Sequence, residues 1–172
     1  LHLHRVCDIV ANSMSGPLPD LAELATRCRA LGLPLTVQRR AILEVLLARA
    51  AAAADGHPTA DEVAADLARR IDGISRATVY RTLETLVEHG LIVRVCHPGA
   101  AARYDVRLAR HHHLVCDRCG AIADFDAAAL DGLALPDFRR AGFTVRDFSV
   151  HVRGTCKACR PSIERRRRDA EP

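Results

Sequence analysis

Two short motifs, Cys116-x-x-Cys119 and Cys156-x-x-Cys159, constrain this 172-residue chain more than any other feature, and 36 residues separate them. Each pair can present two thiolates from one knuckle. Two knuckles make a closed tetrahedral sulfur set, which suits structural Zn(II) and leaves no open position on the metal. Gly120 follows the first pair, where a tight turn needs it. The spacing therefore predicts a zinc that pins two distant segments of a small domain with little core of its own. Disulfides are the competing use of seven cysteines. No cleavable secretory signal is evident, and paired CxxC motifs favour metal over disulfides or a redox dithiol.

The first knuckle lies inside HHHLVCDRCGAIADFD, residues 111–126. HHHLVC reads as a strand running into the knuckle. Side chains alternate along a strand, so His111 and His113 share one face and His112 points the other way, towards solvent. The chain turns at the knuckle and comes back through AIADFD, which can return Asp124 alongside the histidines. Asp105 lies just upstream. Imidazoles and carboxylates without a thiolate suit Fe(II), Mn(II) or Zn(II), and geometry must decide among them. A polar strand surface with incidental acids is the alternative reading.

The residues before this run carry helical periodicity. Leu21, Leu24, Ala25, Cys28 and Leu31 fall on one face, with Cys28 as a small core residue, and Gly32 and Pro34 end that helix. Thr36 can cap the next helix, which carries Ile42, Leu43, Leu46 and Leu47 into the alanines 50–54 and is broken at Asp55-Gly56. Thr59-x-x-Glu62 has the form of a capping box and opens a helix with Val63, Leu67 and Ile71. Ser75 can cap a fourth helix that buries Val79, Leu83, Leu86 and Val87. Its other face begins with Arg76, Thr78, Tyr80 and Arg81. LIVRVCH (91–97) and ARYDV (102–106) then read as two strands joined by a Pro-Gly turn. Short helices followed by a hairpin make a winged helix-turn-helix, whose last helix can enter the major groove. Arg81 can pair with a guanine edge or a phosphate, and Tyr80 can meet a thymine methyl or a phosphate.

Composition narrows the class. At 49% hydrophobic and 27% charged residues, the chain can bury a real core. No apolar run is long enough to span a membrane, so a soluble, cytoplasmic protein is expected. Aromatics make up 3%, with no Trp, which argues against a single-strand binder built on stacking. A net charge of +4 is too small to argue for nucleic acid by itself. The only methionine is Met14, and the first thirteen residues read as foreign to the fold. Residues 1–17 are expected to form a disordered or non-native extension, in which His2, His4 and Cys7 bind nothing.

In order and spacing, TVQRRAIL (36–43), HPTADEV (57–63), SRATVYRTLETLVEHGLI (75–92), RYD (103–105), HHHLVCDRCG (111–120) and CKAC (156–159) resemble the ferric-uptake regulator (Fur) family. The resemblance implies a metal-dependent bacterial repressor, not an enzyme, with an α+β architecture. Residues 18–104 would form the winged-helix DNA-binding domain. Residues 105–164 would form an α/β dimerisation domain with structural zinc on Cys116, Cys119, Cys156 and Cys159. Residues 165–172 would be a basic tail. The partner would be an AT-rich inverted repeat bound by a homodimer.

The resemblance also adds His57 to the second cluster, so the regulatory Fe(II) or Mn(II) set becomes His57, Asp105, His111, His113 and Asp124. Three His and two Asp are most similar to the peroxide-sensing, PerR-like branch. There, Fe(II) with an open position reduces hydrogen peroxide and a ligand histidine, matching His57 or His111, is oxidised. The alternative within the family is an iron-, manganese- or zinc-uptake regulator whose metal simply dissociates.

Two departures stand out. Many members carry Lys or Arg where this chain has Pro34, although Arg39 and Arg40 remain near the DNA. Many iron-uptake members have His where Phe148 stands, and His151, three residues on, should face the other way. Cys96 is expected as a packed or half-exposed thiol of the wing, and the helix after Ala127, with Leu130, Leu133 and Leu135, as packing or dimer surface. A metal hydrolase is disfavoured, because no carboxylate is left to serve as its general base.

Overall fold

A computed structural model of the protein describes residues 18–52, 56–96, 101–145 and 148–160. The N-terminal extension, Asp55, the Pro-Gly turn and the basic tail from Arg165 lie outside the described residues. Among the described residues, four helices come first: α1 (Leu21–Ala30), α2 (Val37–Ala51), α3 (Ala60–Ala68) and α4 (Arg76–Glu88). Each begins where a side chain can satisfy an orphan backbone N–H. Asp20, Thr36 and Ser75 accept from the third residue on. At α3 both arms of the capping box form: Thr59 Oγ1 accepts from Glu62 N–H at 3.2 Å, and Glu62 Oε2 accepts from Thr59 N–H at 2.7 Å. This is shorter than the expected helix, because Ile71 lies beyond its end.

The apolar faces of these helices close on one core. Leu24, Ile42, Leu43, Leu46, Leu67, Leu83 and Leu86 are fully buried in it, each contributing about 1.5–3 kcal/mol of burial. Cys28 lies in the same core, where burial pushes its thiol pKa up. Gly90, at φ 63°, ends α4 in the left-handed region that favours glycine.

Strands β1 (Val93–Val95) and β2 (Arg103–Asp105) then pair antiparallel, with Arg94 opposite Tyr104. Tyr104 is buried beneath them, and its hydroxyl donates to Glu84 of α4 at 3.1 Å. Burial and the Glu84 carboxylate push its pKa up to about 12. Arg94 pairs with the same Glu84, so the hairpin is fastened to α4. On its other edge, Tyr104 N–H donates to the Pro58 carbonyl at 2.9 Å, and Thr59 bridges to Arg103. These bonds place His57 beside Asp105, 48 residues later.

The C-terminal part is a three-stranded sheet in the order β4-β3-β5, built from β3 (His112–Cys116), β4 (Ile122–Phe125) and β5 (His151–Gly154). β4 runs antiparallel to β3 and β5 parallel to it. A short helix, α5 (Ala128–Asp131), and a 3-10 turn (Phe138–Ala141) lie between β4 and β5. The helix expected after Ala127 is thus one turn long. Leu133 and Leu135 lie beyond it, 49% and 38% exposed. Among the described residues, the core on this side holds only Val95, Val115 and Ile122. So small a core cannot fix the sheet by burial, which is the physical case for a cross-link.

Candidate metal centres and DNA-facing helix

The knuckle behaves as its spacing predicts. Cys116 ends β3, and Gly120 takes φ 69° to turn the chain into β4. Asp117 N–H donates to Gly154 O at 2.9 Å, which docks this knuckle against the end of β5. The second knuckle follows β5 directly. One sulfur from each of Cys116, Cys119, Cys156 and Cys159 lies within 4.8 Å of all the others. Burial alone would raise the Cys116 pKa, but backbone N–H groups, Cys156's first among them, bring it down to about 6. Its sulfur accepts from Cys156 N–H at 3.4 Å. The Cys159 thiol is pushed up to about 12 by sharing hydrogen bonds with Cys156 and Cys119. Four thiols crowded this closely cannot all ionise unaided, and a divalent cation resolves that conflict.

The second cluster is assembled from four separate segments. His57 precedes the capping box of α3, Asp105 ends β2, His111 and His113 flank the start of β3, and Asp124 lies on β4 opposite His113. One ligand atom from each lies within 4.8 Å of the others. His57 Nε2 is 3.3 Å from Asp105 Oδ2 and 3.0 Å from Asp124 Oδ1. His111 Nε2 is 2.9 Å from Asp105 Oδ2. The His111 and His113 rings are edge to face, with centroids 4.6 Å apart.

Despite these distances, His57 Nε2, Asp105 Oδ2, His111 Nε2 and His113 Nε2 are buried and make no well-formed hydrogen bond among the described residues. Orphaned polar atoms are costly in an interior. Here they crowd around one centre, carboxylate beside imidazole, and the donor set fits a divalent cation. Burial opposes charge on His57, but Asp105 and Asp124 outweigh it and raise its pKa to about 9. Burial would raise Asp105, yet His111 and His57 hold it well below the usual carboxylate range. Burial and its two imidazole neighbours push His113 down to about 3.

A family model, that of the ferric uptake regulators, matches residues 30–153. The chain belongs to the ferric uptake regulator family. Membership makes it a metal-dependent, DNA-binding repressor, not an enzyme, and implies a homodimer. It is 33% identical over 140 residues to the peroxide operon regulator of Bacillus subtilis, an alignment that covers 81% of this chain and 93% of that protein. In structure it is similar to the Vibrio cholerae ferric uptake regulator, with a TM-score of 0.62 and 26% identity over 77% of this chain and 98% of the other. It is also similar to the Campylobacter jejuni peroxide stress regulator, with a TM-score of 0.56 and 28% identity over 81% and 98% of the two chains.

The DNA-facing candidates of this Fur-family chain lie on the solvent side of α4. Arg76 and Arg81 are exposed, Thr78 is half-buried, and Tyr80 is 41% exposed. Sequence reasoning missed Asp61 of α3, which pairs with Arg76 and accepts from the Tyr80 hydroxyl at 3.3 Å. Of the pair near Pro34, Arg39 donates to the Pro34 carbonyl at 2.5 Å, and Arg40 pairs with Glu44 at 3.2 Å.

Three expectations need correction. His112 is not exposed: it is fully buried on the face of β3 opposite the cluster. Its Nδ1 accepts from Val150 N–H at 3.2 Å, its Nε2 is 3.3 Å from Asp131 Oδ1, and its ring packs on Phe125. Strand alternation placed it correctly but could not show that α5 and the approach to β5 cover that face. His151 does not turn away from Phe148, since both line the same small cavity beside His113. Residue 148 precedes the regular strand, so alternation does not hold between them. His151 pairs in register with His113, and their rings meet edge to face at 5.1 Å. Cys96 is half-buried but disulfide-bonded, not a thiol. The other residue that spacing could not reveal is Arg107, in the segment after β2. Its backbone N–H donates to Asp105 Oδ1 at 2.7 Å, and its guanidinium reaches both Asp126 and Asp124.

Among the described residues, no helix is long and apolar enough to cross a membrane.

Proposed function

We propose that this protein is a cytoplasmic, peroxide-responsive repressor that binds an AT-rich inverted repeat. The observation that carries the reading is the second cluster: three imidazoles and two aspartate carboxylates, drawn from both halves of the chain, with no thiolate among them. Relatives at 30–33% identity are named as peroxide-responsive repressors or a peroxide operon regulator, which supports the same reading.

In this reading, residues 18–104 read DNA and residues 105–164 dimerise. Cys116, Cys119, Cys156 and Cys159 hold structural zinc, one per subunit. His57, Asp105, His111, His113 and Asp124 hold Fe(II) or Mn(II), also one per subunit. Arg76, Thr78, Tyr80 and Arg81 meet the operator, with Arg39 and Arg40 beside them.

The chain's own residues explain how occupancy can control DNA binding. His57 belongs to the reader, and Asp105, the first residue past it, is tied to it: Tyr104 bonds to Pro58, and Thr59 starts α3 against α4. His111, His113 and Asp124 belong to the sheet. A cation shared by both sets fixes the reader against the sheet, and so fixes the spacing of the two α4 helices in a dimer. Without it, the buried carboxylates and imidazoles must compensate one another, and fewer molecules match both half-sites. Bound Fe(II) would supply the redox chemistry that cleaves hydrogen peroxide; over the whole step the ring of His57 or His111 would give up two electrons and gain one oxygen atom, and the other oxygen would leave as water. A ring so altered is a poor donor, and the link between the halves is lost.

The test is to load the metal-free protein with Fe(II) anaerobically, add peroxide, and combine tryptic mass spectrometry with DNA binding. One oxygen atom gained at His57 or His111, together with operator release, is expected. No oxygen gain and unchanged affinity refute the peroxide reading. They would leave an uptake regulator, a reading that the similarity to the Vibrio cholerae protein favours.

A further inference from the structure

The two carboxylates of the His/Asp cluster are not presented symmetrically. Asp105 turns Oδ2 inward, to within 3.3 Å of His57 and 2.9 Å of His111, while Oδ1 accepts from Arg107 N–H at 2.7 Å. Asp124 turns Oδ1 inward, 3.0 Å from His57, 3.4 Å from His111 and 3.7 Å from His113, while Oδ2 faces Arg107 Nη1 at 4.0 Å. One residue thus attends the outer oxygen of both acids, by its backbone on one and its charge on the other. The Arg107 side chain is itself held. Asp126 grips Nη2 through both carboxylate oxygens, at 2.7 and 2.9 Å, and the side chain is only 18% exposed. Both oxygens meet the same nitrogen, so the contact anchors that end of the guanidinium by a charge-assisted hydrogen bond. It also balances the arginine's charge, so that Arg107 can stand near a cation site without repelling the cation strongly.

We propose that Arg107 is a positioning residue that restricts Asp105 and Asp124 to one oxygen each towards the metal, leaving room at the metal for a small ligand. The count follows from the geometry. Three imidazoles and two single oxygens supply five donors, and an iron or manganese ion accepts a sixth. For Asp124 to offer both oxygens, it would have to rotate Oδ2 away from the Arg107 charge. A cavity of about 20 Å³ beside the cluster, lined by Asp105, Arg107, His111, His113 and His151 among others, has room for one water-sized molecule. Hydrogen peroxide belongs to that size class. The inference rests on the proposed peroxide-sensing role for the identity of the small ligand, but not for the arrangement of the carboxylates.

The experiment compares wild type, Arg107→Gln and Arg107→Lys. Each is loaded with Mn(II), and its coordination is read by X-ray absorption and electron paramagnetic resonance. Arg107→Gln is expected to gain one carboxylate oxygen on the metal, and Arg107→Lys, which keeps the charge, to resemble wild type. After anaerobic Fe(II) loading, oxygen addition to His57 or His111 should slow by about tenfold in Arg107→Gln. Asp126→Asn, which loosens the grip on Arg107 without removing it, should shift the Mn(II) spectra in the same direction by a smaller amount, and it serves if Arg107→Gln does not fold. Identical Mn(II) coordination in wild type and the variants overturns the proposal. Oxygen addition absent from wild type, with the Mn(II) difference intact, refutes peroxide sensing and leaves the Arg107 assignment standing.

Discussion

Asp105→Asn separates the two roles of the buried cluster: holding the apo fold together and holding metal. Asp105 is 3% exposed and lies between His57 and His111, so the substitution keeps the shape and removes the charge. The rise of the His57 pKa from 6.5 to about 9 corresponds to about 3 kcal/mol of favourable interaction, shared between Asp105 and Asp124. Breaking a buried pair by removing one partner costs about 3–5 kcal/mol in general, because the other charge is left uncompensated. Together the two routes place the apo-state loss at neutral pH at about 2–5 kcal/mol.

The sign with pH is set by His57. Its folded pKa is raised, so its share of stability is full below 6.5 and is lost as pH rises through about 9. Asp105 is shifted down, so its share is present above the ordinary carboxylate range and lost only in strong acid. The cost of Asp105→Asn should therefore shrink above pH 9. Wild type should gain about 2.7 kcal/mol from Mn(II) at a hundred times its dissociation constant, and the variant should gain much less. Urea unfolding of chelator-treated protein, at neutral and alkaline pH and with and without Mn(II), reads all of this. An apo variant within 0.5 kcal/mol of wild type (about the scatter of a surface change), still stabilised by Mn(II), would refute the reasoning.

Three further outcomes follow from the same geometry. Mn(II) affinity should rise with pH between about 7 and 9, by up to about tenfold per pH unit for each proton displaced from His57, as measured by competition titration. Cys156→Ser should release zinc to a colorimetric chelator and loosen the β4-β3-β5 sheet, seen as lost amide-exchange protection there while α1–α4 keep theirs, because the sheet has so small a core of its own. Arg81→Ala should weaken operator binding and, if Arg81 meets a phosphate, reduce the slope of log affinity against log salt by about one; an unchanged slope with relaxed sequence preference would assign it to a base instead.

Local chemistry made much of this protein legible from sequence. The caps at Thr36, Thr59 and Ser75 are short-range, and each forms as the pattern predicts. The CxxC pairs are equally local, and a tetrahedral sulfur site needs little beyond them. Strand alternation and the turn at Gly120 were enough to bring Asp124 back alongside the histidines, and the structure sets it opposite His113. The long-range partners were not legible. His57 joined the cluster through family resemblance, and only the Pro58–Tyr104 pairing shows how it reaches Asp105. The burial of His112, the edge-to-face contact of His151 with His113 and the attachment of Arg107 to Asp124 and Asp126 depend on which segments pack across the sheet. The sequence by itself determined the two CxxC knuckles and the helix starts, because each depends on residues a few positions apart. Only the tertiary structure decided which oxygens face the cluster and which are held away, because that follows from side chains brought together across strands and linkers.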